Sequence, residues 1–300
     1  MRKVKIITDS CSDLTGELMD KYDIDYVKMN TVYEGVETPA DLRWSYEDMH
    51  NLYETIRAGN RITTTQVPVE EFERVFTKYL ELGFDIIYIA CCIKQSGSIN
   101  TGAVVAKKLL ENYTEASIYC MDLLHSAIGQ GMLAIKGAEY AAEGHDAKET
   151  AEYLDSIKLT CNEFVAVHTL DHLKKAGRVS ASSAFFGNLF GVKPIIISDA
   201  DGNQAAFKKV KGRQNSIREI VALLKEAMPQ DCSNETVFIA HADCSDEEVN
   251  FLTDLVKSEI APKEIITVYI GPIIGASVGP DTIGVWGFGK EVTFRSGEQK

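Results

Sequence analysis

An α/β protein of two domains is what this sequence predicts: an N-terminal parallel sheet flanked by helices, then a C-terminal α+β domain with a mixed or antiparallel sheet. Three observations carry the prediction. At 300 residues with 45% hydrophobic and 25% charged content, the chain is ordinary in composition and longer than one core usually spans. Up to about Leu159, short apolar strands alternate with amphipathic helices. Beyond it strands cluster, several joined by turns alone.

In chain order, Val4 to Thr8, Ile86 to Cys92 and Ser117 to Met121 are the strands of the first half. Their apolar residues face both ways, which suits a parallel sheet covered on two sides. The 3.6-residue period places helices near Leu14 to Tyr22, Tyr46 to Ile56, Val69 to Leu82, Asn100 to Leu110 and Ala127 to Ala142. After a helix from Ala147 to Lys158, strands are expected at Glu163 to His168, Lys193 to Ser198, Ala205 to Val210, Thr236 to His241, Ile265 to Ile270 and Thr282 to Gly287. Asp199 to Asn203, with Gly202 inside it, is a hairpin signal. The boundary is placed near residue 160, giving domains 1–160 and 161–300.

Acidic minus basic residues, 44 − 31, leave a net charge of −13. Such a surface repels phosphate backbones and anionic lipid, so nucleic acid is not an expected partner. Ile86 to Ile93 is an eight-residue apolar run, far short of the roughly 20 residues that span a bilayer, so no integral membrane association is expected. The apolar stretch after Met1 is too short for a signal peptide, and seven scattered cysteines show neither disulfide nor zinc spacing. A cytoplasmic protein without cofactor or metal is the expectation.

Two hydroxyl-rich loops precede helices: Ile62 to Pro68, whose Pro68 suits the first helical position, and Cys91 to Ser98. In an open parallel sheet, ligands collect beyond the carboxyl ends of strands, where helix N-termini offer free N–H groups to a small anion. Simple helix capping is the other reading of the same residues. Gly97 to Gly102 has the glycine spacing of a phosphate loop, but Ala103 and Val104 stand where lysine and a hydroxyl are needed, so nucleotide binding is not expected. Gly275-Ala276-Ser277-Val278-Gly279 matches the nucleophile elbow of serine hydrolases, though a strand-like segment follows it and the last histidine, His241, lies upstream. His168 and His172, four apart, fall on a strand end and a helix start rather than on one face. Arg178, after Lys174, Lys175 and Gly177, is a compact cationic spot, equally a phosphate or partner contact and a capped helix end.

In order, Thr8-Asp9-Ser10, Thr64-Thr65-Gln66, Ser96-Gly97-Ser98, Asp122 with Gly129-Gln130-Gly131, Thr169 to Val179, Lys193-Pro194-Ile195 and Ile270 to Pro280 resemble the DegV family of bacterial fatty-acid-binding proteins. The resemblance covers nearly the whole chain. It implies one long-chain fatty acid, palmitate- or oleate-like, with its carboxylate near the domain interface and its tail in the second domain. It also implies a non-catalytic role as the acyl-carrying subunit of a fatty acid kinase, whose separate ATP-binding protein forms the acyl phosphate. Carried over by motif, Thr64 and Ser96 contact the carboxylate, with Thr65 and Gly97 beside them, and Arg178 faces the phosphoryl group or partner. Ser277, counted among the ligand-binding residues, stands where the family usually has a histidine. The usual Thr-Ser-Gln-Pro-Ser reads Thr64-Thr65-Gln66-Val67-Pro68, and Cys92 to Gln95 lack the usual serines. A serine hydrolase using Ser277 is the alternative function.

Overall fold

The computed structural model describes residues 2–180 and 191–298. The chain packs as two compact units, Met1–Trp44 with Ile62–Lys158, and Ser45–Arg61 with Leu159–Lys300. The cut expected near residue 160 is continuous in sequence; the packing units are not, because residues 45–61 leave the first unit and join the second.

In the first unit, β1 (Lys3–Asp9), β2 (Asp25–Val27), β6 (Phe84–Ala90) and β7 (Ile118–Asp122) form an all-parallel sheet in the order β2-β1-β6-β7. Ile86 to Ala90 are all buried, as a central parallel strand requires. The helices are α1 (Gly16–Lys21), α3 (Val69–Glu81), α4 (Ser98–Leu110), α5 (Ala127–Ala142) and α6 (Ala147–Ile157). On α3 the buried set is Phe72, Val75, Phe76, Tyr79 and Leu80, one face of a 3.6-residue helix. Phe72 meets Phe76 and Tyr88 edge to face. Asp146 and Glu149 close a reciprocal capping box at the start of α6.

A second sheet in this unit was not read from the sequence. β3 (Asn30–Tyr33) pairs antiparallel with β4 (Val36–Pro39) and with β5 (Thr63–Thr65). Glu34 and Gly35, both at positive φ, make the two-residue turn. The hydroxyl-rich loop is thus partly a strand, and Pro68 is the N-cap of α3, one position before the expected one.

In the second unit the sheet runs β10-β9-β8-β13-β11-β12. Its strands are β8 (Cys161–Ala166), β9 (Val192–Ser198), β10 (Gln204–Lys211), β11 (Thr236–His241), β12 (Glu264–Tyr269) and β13 (Ile283–Phe288). Only β11 and β12 pair in parallel, so the sheet is mixed. Helices α8 (Arg213–Ala227) and α9 (Asp246–Glu259) bury Ile217, Ile220, Leu224, Leu252 and Val256 against Ile195, Val237, Ile239, Ile283 and Val285. By strand alternation the other face carries Val165, Ile196, Phe238, Ala240, Gly284 and Trp286, paired across strands. The side chains of that face are buried too. Helices α2 (Tyr46–Arg57), α7 (Asp171–Ala176) and α10 (Pro272–Val278) complete the unit.

Candidate functional site

In the first sheet the chain passes from β1 to β2 on one side and to β6 on the other, so the carboxyl ends of β1 and β6 flank the switch point where open α/β sheets take ligands. Asp9 ends β1 there, fully buried. Its Oδ1 accepts from the Cys11 N–H (3.0 Å) and Gln130 Nε2 (3.1 Å), and its Oδ2 from the Tyr88 hydroxyl (2.8 Å) and the Cys91 N–H (2.9 Å). Burial raises its pKa, and the four donors offset only part of that rise. One carboxylate therefore ties together the loops after β1 and β6 and the helix α5. The Ser10 hydroxyl donates to the Ala40 carbonyl (2.7 Å) and accepts from the Met29 N–H (3.1 Å). The sequence had marked Thr8-Asp9-Ser10 and Gly129-Gln130-Gly131 only as motif; their contact across 121 positions was not legible.

The two hydroxyl loops do come together. The Val67 N–H donates to Ser98 Oγ (3.2 Å), Gln66 Nε2 donates to Thr101 Oγ1 (3.1 Å), and a Cβ on Gly97 would stand 2.4 Å from Gln66 Oε1. The Ser98 N–H donates to Ser96 Oγ (3.2 Å), and the two hydroxyls are 2.9 Å apart. Thr65 Oγ1 donates to Glu37 Oε1 (2.5 Å), which also takes Asn30 Nδ2 (2.7 Å). Thr64, half-buried and paired through its backbone with Thr31, keeps a hydroxyl with no hydrogen bond to a described residue. The segments carrying Thr64 and Thr65 and carrying Ser96 and Gly97 thus meet through Gln66 and Val67, and the Thr64 hydroxyl keeps its donor unused among the described residues. The phosphate-loop spacing resolves into the start of α4.

The second unit carries Ser277 and Arg178. Ser277 is the penultimate residue of α10, half-buried, with no hydrogen bond to a described residue. A nucleophile elbow needs the serine at a strand-to-helix turn beside a base; here it lies inside a helix, and no base among the described residues hydrogen-bonds to it. The His172 ring instead packs on Gly279, where a Cβ would stand 2.5 Å from Cδ2. Burial and then Lys175 lower the pKa of His172; burial and then Lys193 lower that of His168, whose Nε2 lies 3.0 Å from Lys193 Nζ.

Arg178 follows a helix end of defined geometry. Gly177 takes the left-handed conformation (φ 69°, ψ 27°), its N–H donating to the Lys174 carbonyl (3.1 Å) while the Arg178 N–H reaches the Leu173 carbonyl (3.1 Å). The exposed guanidinium donates to the Ala176 carbonyl. The helix-end reading of this segment is therefore observed, and the side chain remains on the surface.

Among the described residues, His50, Glu54 and Asp243 place potential metal-ligand atoms within 4.8 Å of one another. Arg57 Nη1 already donates to Glu54 Oε1 (2.8 Å) and Asp243 Oδ2 (2.5 Å), so a guanidinium holds the place a cation would need. None of the seven cysteines is in a disulfide, and burial pushes the half-buried Cys120 thiol up to about 12. No helix among the described residues is long and apolar enough to cross a membrane.

Comparison with known proteins agrees with this architecture. The family model described as "Uncharacterised protein, DegV family" matches residues 3–289. A Thermotoga maritima protein named "Fatty acid-binding protein" is 32% identical over 298 residues, covering 98% of this chain and 99% of its own. A DegV domain-containing protein of Clostridium perfringens is 30% identical over 289 residues, 96% of this chain and 98% of its own. The crystal structure of a DegV lipid binding protein from Thermotoga maritima superposes with a TM-score of 0.83 at 27% identity, over 97% of this chain and all of that one. The chain belongs to the DegV family.

Proposed function

We propose that this protein binds one long-chain fatty acid and presents its carboxylate to a separate ATP-binding kinase protein, which converts it to an acyl phosphate. The observation that carries the reading is the convergence of the Thr64 and Ser96 loops beside the switch point of the parallel sheet, in a chain 32% identical to a protein named for fatty acid binding. Thr64 is the first donor to the carboxylate, Ser96 the second, with Thr65 and Gly97 shaping their surroundings. Ser277 is a further candidate ligand contact, and the buried apolar sheet face of Val165, Ile196, Phe238 and Trp286 is the candidate lining for the tail. Burying roughly 14 methylenes at ~0.8 kcal/mol each supplies ~11 kcal/mol before ordering and association costs. Arg178, exposed beyond its helix, is the partner-facing cation.

Mass spectrometry under native conditions, followed by denaturing extraction, tests the binding: a mass increment of one fatty acid per chain is expected. Absence of any co-purifying acid together with no binding of added oleate or palmitate would falsify the reading. Acyl phosphate formation from oleate, ATP and a fatty acid kinase protein tests the transfer role separately.

A further inference from the structure

On the face of the second sheet opposite α8 and α9, polar side chains interrupt the apolar surface at one level. Glu163 of β8 pairs in register with Trp286 of β13, and Gln204 of β10 with Ser198 of β9. All four are buried. Glu163 Oε1 accepts from the Ser198 hydroxyl (2.9 Å) and from Gln204 Nε2 (2.8 Å), while its Oε2 accepts from Trp286 Nε1 (2.9 Å). Gln204 Nε2 also donates to Ser198 Oγ (2.9 Å). A buried carboxylate satisfied in this way fixes the groups around it, because a donor pulled away from it finds no water in exchange.

The largest group it fixes is an indole. A Cβ on Gly284 would stand 2.6 Å from Trp286 Cη2, 2.7 Å from its Cζ3 and 2.8 Å from Val165 Cγ2. The benzo edge of the ring thus lies over Gly284, two residues nearer the start of β13, and the missing side chain makes room for it. At that level the face is apolar: Gly284 pairs with Val165 and Ala240, and Val165 with Ile196. β13 begins just after α10, the helix that carries Ser277, with Gly279 to Thr282 between them. A chain laid along this face from the start of β13 meets apolar side chains first, then the indole edge, with the Glu163 level behind it.

We propose that Trp286, with Glu163 as its positioning residue, closes the tail site at the methyl end and sets the length of acyl chain the protein accepts. The proposal deepens the reading of this face as the tail lining and rests on it. A methyl end packs favourably against Val165, Ile196 and the ring. To go further it must displace the indole, which leaves the buried Glu163 carboxylate short of a donor. Each further methylene buried is worth about fourfold in affinity, so the gain with chain length stops where the ring is reached.

Two measurements test it. The chain has two tryptophans, so Trp44→Phe leaves Trp286 as the only one, and its fluorescence reports contact with bromine. Stearate brominated near the methyl end is expected to quench it strongly and stearate brominated near the carboxylate weakly; equal quenching, or the reverse order, overturns the proposal. Affinities for laurate, palmitate and arachidate are then compared in wild type, Trp286→Ala and Glu163→Gln. Trp286→Ala is expected to raise the arachidate-to-palmitate affinity ratio about fifteenfold, the worth of two more methylenes, and Glu163→Gln, which loosens the ring without removing it, to raise it less. Weaker binding of all three acids with an unchanged ratio is what a merely structural role gives, and it overturns the proposal. Should Trp286→Ala not fold, Glu163→Gln and the quenching decide. If the wild type binds none of the acids, the proposed function falls and this proposal with it, whereas binding with an unchanged ratio in the variants removes this proposal alone.

Discussion

Asp9 and His241 each end a strand, one in each unit, and burial drives each toward its neutral form. Their surroundings differ. Asp9 receives four donors from three segments of chain, whereas His241 Nδ1 has no hydrogen bond to a described residue and its ring lies against Tyr269, centroids 4.2 Å apart. Their signs are opposite as well. For an acid whose folded pKa is raised above 3.8, the stabilising contribution is whole below 3.8 and is lost as pH rises through the folded value. For His241, lowered from 6.5 to about 4, the contribution is whole above 6.5 and is lost as pH falls toward 4. Mild acid therefore favours the buried group of the first unit and penalises that of the second.

The strongest way to break this comparison is Asp9→Ala. It leaves the Tyr88 hydroxyl and the Cys11 and Cys91 N–H groups buried without their acceptor, at an expected cost of about 3–5 kcal/mol in urea unfolding. A loss under about 1 kcal/mol would mean that the loops do not depend on that carboxylate. Next in size is the acid response of the second unit. Between pH 6.5 and 4, His241 accounts for about 3 kcal/mol of lost stability, and His241→Phe should remove that part of the slope. Equal slopes for wild type and variant would place the acid sensitivity elsewhere.

Smaller effects sharpen the contrast at the site. Thr64→Val and Ser96→Ala should each weaken oleate binding by about 1.5–3 kcal/mol, the range for a bond to a charged group. They should part company in stability. Ser96 receives the Ser98 N–H at the start of α4, so its loss costs about 1 kcal/mol of folding, while Thr64→Val costs almost none. Isothermal titration and thermal melts on the same two samples separate these outcomes, and no change in affinity at either position would put the carboxylate somewhere else.

The smallest expected effects concern the end of α7. Gly177→Ala should cost about 1 kcal/mol because alanine resists the left-handed backbone, whereas Arg178→Ala removes the exposed bond to the Ala176 carbonyl and should cost less. If Arg178 faces the kinase protein, its variant loses acyl phosphate yield with fatty acid affinity intact. A lowered midpoint with unchanged yield per folded molecule would leave it as a helix-end residue only.

Periodicity was enough to find most of the large elements. α5 falls on Ala127–Ala142 as its apolar pattern predicts, and the turn at Asp199 to Asn203 joins β9 and β10. The sheet of β3, β4 and β5 escaped notice because Thr63–Thr65 is three residues long, too short for alternation to register, and is a strand only by pairing with Asn30 to Val32. The hydroxyls of Thr64 and Ser96 were conspicuous as residue types. Their neighbourhood was not, since it depends on Gln66 reaching Thr101 and Val67 reaching Ser98.

The sequence by itself determined the α/β character, the parallel first sheet, the change of grammar near residue 160 and, through ordered motifs, the DegV family. Those are properties of local period and residue type, which a linear chain displays directly. Only the tertiary structure decided that α2 serves the second unit, that Asp9 knots three segments, that Ser277 lies inside a helix and that Gly177 caps α7. An amphipathic helix announces that one face must be buried but not against what. A buried carboxylate announces a need for donors but not their address, because the choice of partner is settled by packing between residues far apart in the chain.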